Sequence, residues 1–213
     1  MSRRKRKPHI VAGVLQTGGL MSRSEILYLD APGGDNTDAV IDAVSKRLTK
    51  GDIKHVVVAS DSGKTGLKTV AKLKGSGVQV VVVTEHCGFD KEGECAMTKE
   101  TEERLLKSGA KVVCATHALS GVERSISKKI GGASRVESIS EALRALFGQG
   151  LKVAVEITIM AADNGAIPCG DVEVISMGGT GWGADTACVV RPAHSNGFFN
   201  FRVREIIAIP RKR

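Results

Sequence analysis

Apolar and polar positions along this chain alternate between two periods. Ile26-Leu27-Tyr28-Leu29 is a short apolar run closed by Pro32-Gly33-Gly34, and it predicts a first strand. Asp35, Asn36 and Thr37 offer helix caps, and Val40, Ile41, Val44 and Leu48 then recur at helical spacing up to Gly51. The sequence repeats this order. Residues 55–59 predict a strand, and Leu67, Val70, Ala71 and Leu73 a helix that ends before Gly75. Residues 78–84 are apolar on both faces, as a buried parallel strand requires. A glycine-containing loop over 85–97 leads to a charged helix over 98–107, with Glu103 and Lys107 four apart, and 111–116 reads as the fourth strand. Two capping boxes follow. Ser120-x-x-Glu123 opens a helix closed by Gly131-Gly132, and Ser138-x-x-Glu141 opens one closed by Gly148.

The last third changes character. Residues 153–160, 172–176, 185–191 and 206–209 all read as strands, with few helical residues between them. Their short connections predict antiparallel pairing at one side of the sheet. The fold class that results is α/β: a three-layer α/β/α domain with a mainly parallel sheet and antiparallel strands at one edge.

Composition bounds this picture. The chain has 213 residues, enough for one sizeable domain and short for two. Hydrophobic residues make up 42% and aromatics only 3%, so the core must be built from aliphatic side chains. So few aromatics also argue against single-stranded nucleic-acid binding by base stacking. The net charge of +8 is carried by the ends: Arg3, Arg4, Lys5, Arg6, Lys7 and Arg23 with no acid in 1–24, and Arg211, Lys212 and Arg213. The body between them is near neutral, which excludes a basic nucleic-acid face and leaves only weak contact by the tails. Residues 1–24 are expected to be a basic, disordered extension, with Met21 as an alternative start, and 25–213 a single domain. No apolar run approaches the ~18 residues of a membrane span. The start of the chain imitates a signal peptide, but its apolar stretch, 10–15, is shorter than the roughly 7–15 residues of an h-region. Cys87, Cys95, Cys114, Cys169 and Cys188 form no C-x-x-C pair, which predicts reduced thiols and a cytoplasmic protein. A zinc site from His86, Cys87, Cys95 and His117 matches no standard ligand spacing, so no metal is expected.

The segment 59–66 carries the candidate chemistry. Its Gly63-Lys64-Thr65 has the ending of a nucleotide-triphosphate loop, G-x-x-x-x-G-K-[S/T], but Val58 stands where the first glycine belongs. No convincing second carboxylate for a Mg²⁺ ion follows. What remains is a compact anion cradle at a helix N-terminus: hydroxyls from Ser60, Ser62 and Thr65, backbone approach at Gly63, a point charge at Lys64. It suits one phosphate monoester. The plain alternative is a tight turn whose Ser and Thr only cap the helix. A second segment, 170–192, reads strand, glycine-rich loop, strand, with Gly178, Gly179, Gly181 and Gly183 around the single Trp182. So many glycines indicate close backbone approach to a ligand or a flexible hairpin tip.

These two segments resemble the C-terminal α/β domain of pyruvate kinase, and in particular the small stand-alone proteins built on that domain. The segments 121–127, 155–163 and 183–187 are similar to that family's signatures, and the resemblance covers about residues 25–210. It implies a pyruvate kinase C-terminal domain-like fold with a five-stranded core sheet and helices on both faces. It implies a phosphate held by Ser60, Ser62, Gly63, Lys64 and Thr65, with Thr84 nearby and the loop Gly178, Gly179, Thr180, Gly181 to Thr186 closing over the ligand. It also implies flavin mononucleotide (FMN) as cofactor, and leaves no room for the catalytic barrel of a pyruvate kinase. The basic extension lies outside the pattern.

Ligands in open α/β sheets bind beyond the carboxyl ends of the strands. Ser60, Thr84-Glu85-His86 and Thr116-His117 stand at such ends. His86, His117 and Glu156 are the acid–base candidates, each weighed against an ordinary structural role. Glu156, in an apolar stretch, is either solvent-facing on an outer strand or a buried acid. Arg124 opposes its own helix dipole, which hints at an acidic partner. His194, Asn196 and Phe198-Phe199 form a loop expected to pack on a second subunit or on the domain's own core. The expected partners are therefore a phosphorylated small molecule and further copies of the chain as a homo-oligomer. The alternatives to a binding protein are a flavin- or phosphometabolite-dependent enzyme and a regulatory subunit sensing a sugar phosphate.

Overall fold

A computed structural model describes residues 23–212. The basic stretch at the start of the chain, and with it Met21, lies outside the described residues. Seven strands form one mixed sheet: β1 (Leu27–Leu29), β2 (His55–Ala59), β3 (Gln79–Glu85), β4 (Lys111–Ala115), β5 (Val174–Gly178), β6 (Thr186–Arg191) and β7 (Arg202–Pro210). Their order across the sheet is β1-β7-β6-β5-β2-β3-β4. From β5 to β4 all neighbours are parallel, while β6 is antiparallel to both β5 and β7. β1 does not join the parallel half. It pairs with β7 at the far edge, in parallel register from Leu27 opposite Ala208. The sheet thus has two strands more than the five-stranded core implied by the resemblance.

Six α-helices cover it: α1 (Thr37–Leu48), α2 (Lys64–Lys72), α3 (Lys99–Lys107), α4 (Gly121–Ile130), α5 (Arg135–Phe147) and α6 (Gln149–Asp163). Alternation along each strand divides the core between two faces, because successive side chains point to opposite sides. Val56 and Val58 of β2 and Val80 and Val82 of β3 pack toward α1, α2 and α3, meeting Val40, Val44, Leu73 and Leu105. Val57, Val81 and Val83 pack toward α6, meeting Leu151, Ala154, Ile157 and Met160. The outer side of α6 is covered in turn, with Val155 and Ile159 against Val136, Ile139 and Leu143 of α5.

The structure corrects the reading of 153–160 as a strand. This stretch is the middle of α6, and its residues from Gly150 to Ala162 are buried except Val153. A helix enclosed by a sheet on one side and another helix on the other has no polar stripe. Its apolar run cannot be told from a buried strand by period. The second capping box is also shifted by one turn. Ser134 caps α5, accepting from Glu137 N at 3.1 Å while Glu137 bonds back to Ser134 N, so 138–141 lies inside the helix. Ser120 precedes α4 as expected but makes no side-chain cap.

Cys87 and Cys95 form a disulfide, contrary to the expectation of five reduced thiols. The loop between β3 and α3 folds back on itself, with Gly88 N donating to Glu94 O at 2.7 Å. This brings the two Cα atoms within 4.1 Å, although eight positions separate them. Cys114, Cys169 and Cys188 are unpaired. No helix among the described residues is long and apolar enough to cross a membrane.

Candidate functional site

A cavity of about 550 Å³ opens beyond the carboxyl ends of β2 and β3, between the α2 N-terminus and the N-terminal half of α6. Its floor follows from two local features of the β2–α2 turn. Gly63 has φ +81°, a left-handed conformation that side-chain-bearing residues rarely adopt. A Cβ there would also lie 2.3 Å from the Thr101 methyl of α3. The chain therefore turns sharply from Ser60 into α2. Ser60 N donates to Val83 O at 2.9 Å, and Ser60 Oγ accepts from Gly66 N at 3.1 Å. The first intrahelical bond runs from Leu67 N to Gly63 O. Lys64 N and Thr65 N have no partner among the described residues, as the opening turn of a helix leaves them.

β3 is tied to this turn. Thr84 Oγ1 donates to Asp61 O at 3.0 Å, and Glu85 N donates to Asp61 Oδ1 at 3.2 Å. Above them the disulfide-closed loop places Phe89 over the site. Its ring centroid lies 4.9 Å from that of His117 and 4.9 Å from the Arg124 guanidinium of α4. Across the cavity, α6 contributes a buried ion pair of Lys152 and Glu156, and Glu156 Oε1 accepts from Leu119 N at 2.9 Å. The opposite rim is the glycine-rich loop after β5, with Gly179, Gly181 and Trp182. That loop is clamped from behind. Asp185 Oδ2 accepts from Gly33 N at 2.9 Å, Thr37 Oγ1 accepts from Ala184 N at 3.0 Å, and the Trp182 ring lies against Gly34, where a Cβ would meet it at 2.2 Å.

The charges are divided by position. Asp61, Glu85 and Asp90 cluster at the β2–β3 end, while Arg124, Arg144 and Lys152 come from the helices opposite. Burial, reinforced by Asp61 and Asp90, pushes the Glu85 carboxyl up to about 7. Burial lowers Lys152 against the opposing pull of Glu156. It also lowers His117, whose Nδ1 is enclosed without a hydrogen-bond partner.

Ser60, Ser62, Thr65, Thr84, Gly179, Gly181, His117 and Glu156 are thus brought together around one cavity. The other sequence candidates have different places. Gly63 shapes the turn and packs on α3, and Lys64 is exposed outside the lining. Gly178 faces away, where a Cβ would lie 2.1 Å from Gly150 O of α6. Thr180 and Thr186 open onto a smaller neighbouring cavity with Arg144 and Phe147. His86 bonds Cys87 O at 2.9 Å and is not part of the lining. Asp163, the last residue of α6, holds His194 and Ser195 N away from the cavity. Four charged lining residues escaped the sequence: Asp61, Asp90, Arg144 and Lys152. The i,i+4 spacing of Lys152 and Glu156 was their one available signal, and reading the stretch as a strand concealed it. Among the described residues no group of three or more His, Cys, Asp or Glu side chains is arranged to hold a metal ion.

The chain matches the family model "Pyruvate kinase, alpha/beta domain" over residues 38–190. That span is most of its length, and the protein belongs to this family. The matched region contains the cradle, the disulfide-closed loop, α6 and the glycine-rich rim.

Proposed function

We propose that the cavity binds a phosphate ester, with FMN as the ligand and its phosphate at the α2 N-terminus. One observation carries the reading: the unpartnered N–H groups of Lys64 and Thr65 lie beside the Ser60, Ser62 and Thr65 side chains that line a cavity. Such a helix end favours an anion through its donors and its dipole. The volume of about 550 Å³ lies in the range that encloses a cofactor-sized molecule. Trp182, Phe89 and Ile157 give the lining apolar surface for a ring system. Arg124 and Arg144 bring positive charge to the lining, where Lys152 is already paired with Glu156.

A second reading, a flavin- or phosphometabolite-dependent enzyme, draws on the enclosed, unpartnered Nδ1 of His117 beside the Lys152–Glu156 pair. Those groups can move a proton at a bound ligand. A regulatory subunit sensing a sugar phosphate uses the same cradle and differs only in the molecule it holds.

The test is direct. FMN added to the purified protein should raise its Tm and quench flavin fluorescence, and riboflavin should bind at least about tenfold more weakly, since a charged hydrogen-bonding group contributes about 1.5–3 kcal/mol. The double variant Ser62→Ala/Thr65→Val should lose most of that phosphate contribution. No Tm shift with either FMN or sugar phosphates overturns the proposal, and a sugar phosphate shift without an FMN shift transfers it to the regulatory reading.

A further inference from the structure

The loop between β3 and α3 supplies one wall of the cavity, through Phe89, Asp90 and Ala96. Its own contacts hold it weakly. Residues 86–96 form no helix or strand and contribute no side chain to the apolar cores. Among the described residues, 88–96 hydrogen-bond only within the loop: Gly88 N donates to Glu94 O at 2.7 Å, Glu94 N to Lys91 O at 3.0 Å, and Lys91 pairs with Glu94. Beyond the loop, Phe89 is the anchor, with its ring on His117 and beside the Arg124 guanidinium. Both of those residues also line the cavity.

The loop is closed by a covalent bond instead. The Cys87–Cys95 disulfide joins its two ends and confines the positions that Phe89 can reach. Such a cross-link acts by removing open conformations from a segment whose other contacts are few. Both cysteines are exposed, so an outside thiolate can reach either sulfur. Cutting this bond would leave the packed cores intact, and its consequence would fall on the cavity wall.

We propose that the Cys87–Cys95 disulfide is a redox latch on the cavity. Oxidised, it holds Phe89 and Asp90 as the wall beside His117 and Arg124. Reduced by a dithiol, the loop opens and that wall leaves the site. The step is thiol–disulfide exchange. A thiolate of the dithiol attacks one sulfur, the Cys87–Cys95 bond breaks and a mixed disulfide forms. The second thiol of the reductant then displaces the protein sulfur and closes a disulfide of its own. Two electrons pass from the dithiol to the protein, and the two protons it gives up end on the Cys87 and Cys95 thiols. The effect on ligand binding rests on the phosphate-ester reading above, whereas the opening of the loop does not.

Dithiothreitol and the full chain test it. Alkylation of the unfolded chain should add three labels before reduction and five after, since Cys114, Cys169 and Cys188 are thiols in both states. Lys91 is exposed within the loop, so tryptic cleavage after it, followed by mass once the reductant is removed, reads opening without any ligand. Reduction should speed that cleavage by about tenfold or more, as the open population rises. FMN affinity, measured by calorimetry, should fall about threefold to tenfold, the contribution of one aromatic contact. It should return when the disulfide is re-formed. Cys87→Ser/Cys95→Ser should match reduced wild type in both readouts and ignore dithiothreitol, and the wild-type redox cycle carries the test if that variant does not fold. Equal cleavage after Lys91 in the two states overturns the latch. Faster cleavage with unchanged FMN affinity overturns its hold on the site. If FMN binds in neither state, the phosphate-ester reading fails, and cleavage after Lys91 alone decides the latch.

Discussion

The two faces of the sheet are built by different rules. On one, α1, α2 and α3 lie on Val56, Val58, Val80 and Val82 with an apolar stripe inward and charges outward. Exposed ion pairs such as Lys68–Asp38 and Lys72–Asp42 run between α1 and α2. On the other, α6 is enclosed between the sheet and α5, and it packs by backbone as much as by side chain. A Cβ on Gly150 would lie 2.2 Å from Asp185 Oδ1 and Thr186 Oγ1, and one on Gly178 would lie 2.1 Å from Gly150 O. The first face leaves most of its charged groups in water, with Arg47 of α1, held by Asp52 and Glu205, as the buried exception. The second buries a lysine and a glutamate together, and those two groups face the cavity. The difference teaches where chemistry can be placed. An element with no exposed side encloses its polar groups together, in the low dielectric that gives them unusual proton affinities.

The sharpest way to break this contrast is to remove one partner of the buried pair. Lys152→Met should destabilise the protein by about 3–5 kcal/mol, because Glu156 would remain buried with only Leu119 N for a partner. Lys46→Ala, which breaks the exposed pair with Glu25, should change stability by less than about 1 kcal/mol. Urea unfolding of the two variants decides it, and equal effects would erase the distinction between the faces.

Glycine substitutions separate the faces next. Gly150→Ala forces a methyl against polar atoms of β6 and its approach, and should lower stability by about 3 kcal/mol. Gly66→Ala on α2 meets flexible apolar side chains, the Val82 methyls at 2.9 Å and Leu105 Cδ2 at 3.4 Å. There the roughly 1 kcal/mol gain in helix propensity offsets part of the crowding, for a net loss of about 1 kcal/mol or less. Thermal and urea unfolding measure both.

The pH-dependent effect is the most specific. Folding raises Glu85 from the ordinary 4.5 to about 7, so the folded state holds this proton more tightly than the unfolded state. Its favourable contribution is complete below pH 4.5 and is lost as pH rises through 7. In the ligand-free protein, Glu85→Gln should therefore raise Tm at pH 8 and leave it nearly unchanged at pH 4. A Tm difference independent of pH would remove Glu85 from the titrating groups of the cavity.

Much of the first face was legible in the sequence, for reasons particular to it. Val40, Ile41, Val44 and Leu48 repeat at the period of a helix with one wet side, and all are buried in α1. The valine runs of β2 and β3 fall within a residue or so of their expected limits. The cradle residues Ser60, Ser62 and Thr65 were legible because a turn from strand into helix has its own local chemistry. The second face was not. In α6 the order Val-Ala-Val-Glu-Ile-Thr-Ile-Met looks like an alternating strand, and only the covering of both its sides makes it a helix without a polar stripe. The disulfide of Cys87 and Cys95 was hidden too, since the pairing depends on how the loop after β3 folds back, and spacing alone does not state it.

The sequence by itself determined the α/β order, the helices of the first face, whose pattern is imposed by contact with water on one side, the parallel strands, whose short apolar runs are buried on both faces, and the glycine that bends the chain into a helix N-terminus. Only the tertiary structure decided what is enclosed. It placed β1 beside β7, set α6 under α5, joined Asp61, Glu85 and Asp90 at one end of a cavity, and brought Arg124, Arg144 and Lys152 to the other. The physical reason is that burial is a property of two surfaces meeting. A residue's polarity records its exposure to solvent, but the proton affinity of Glu85 and the burial of the Lys152–Glu156 pair arise from neighbours distant along the chain.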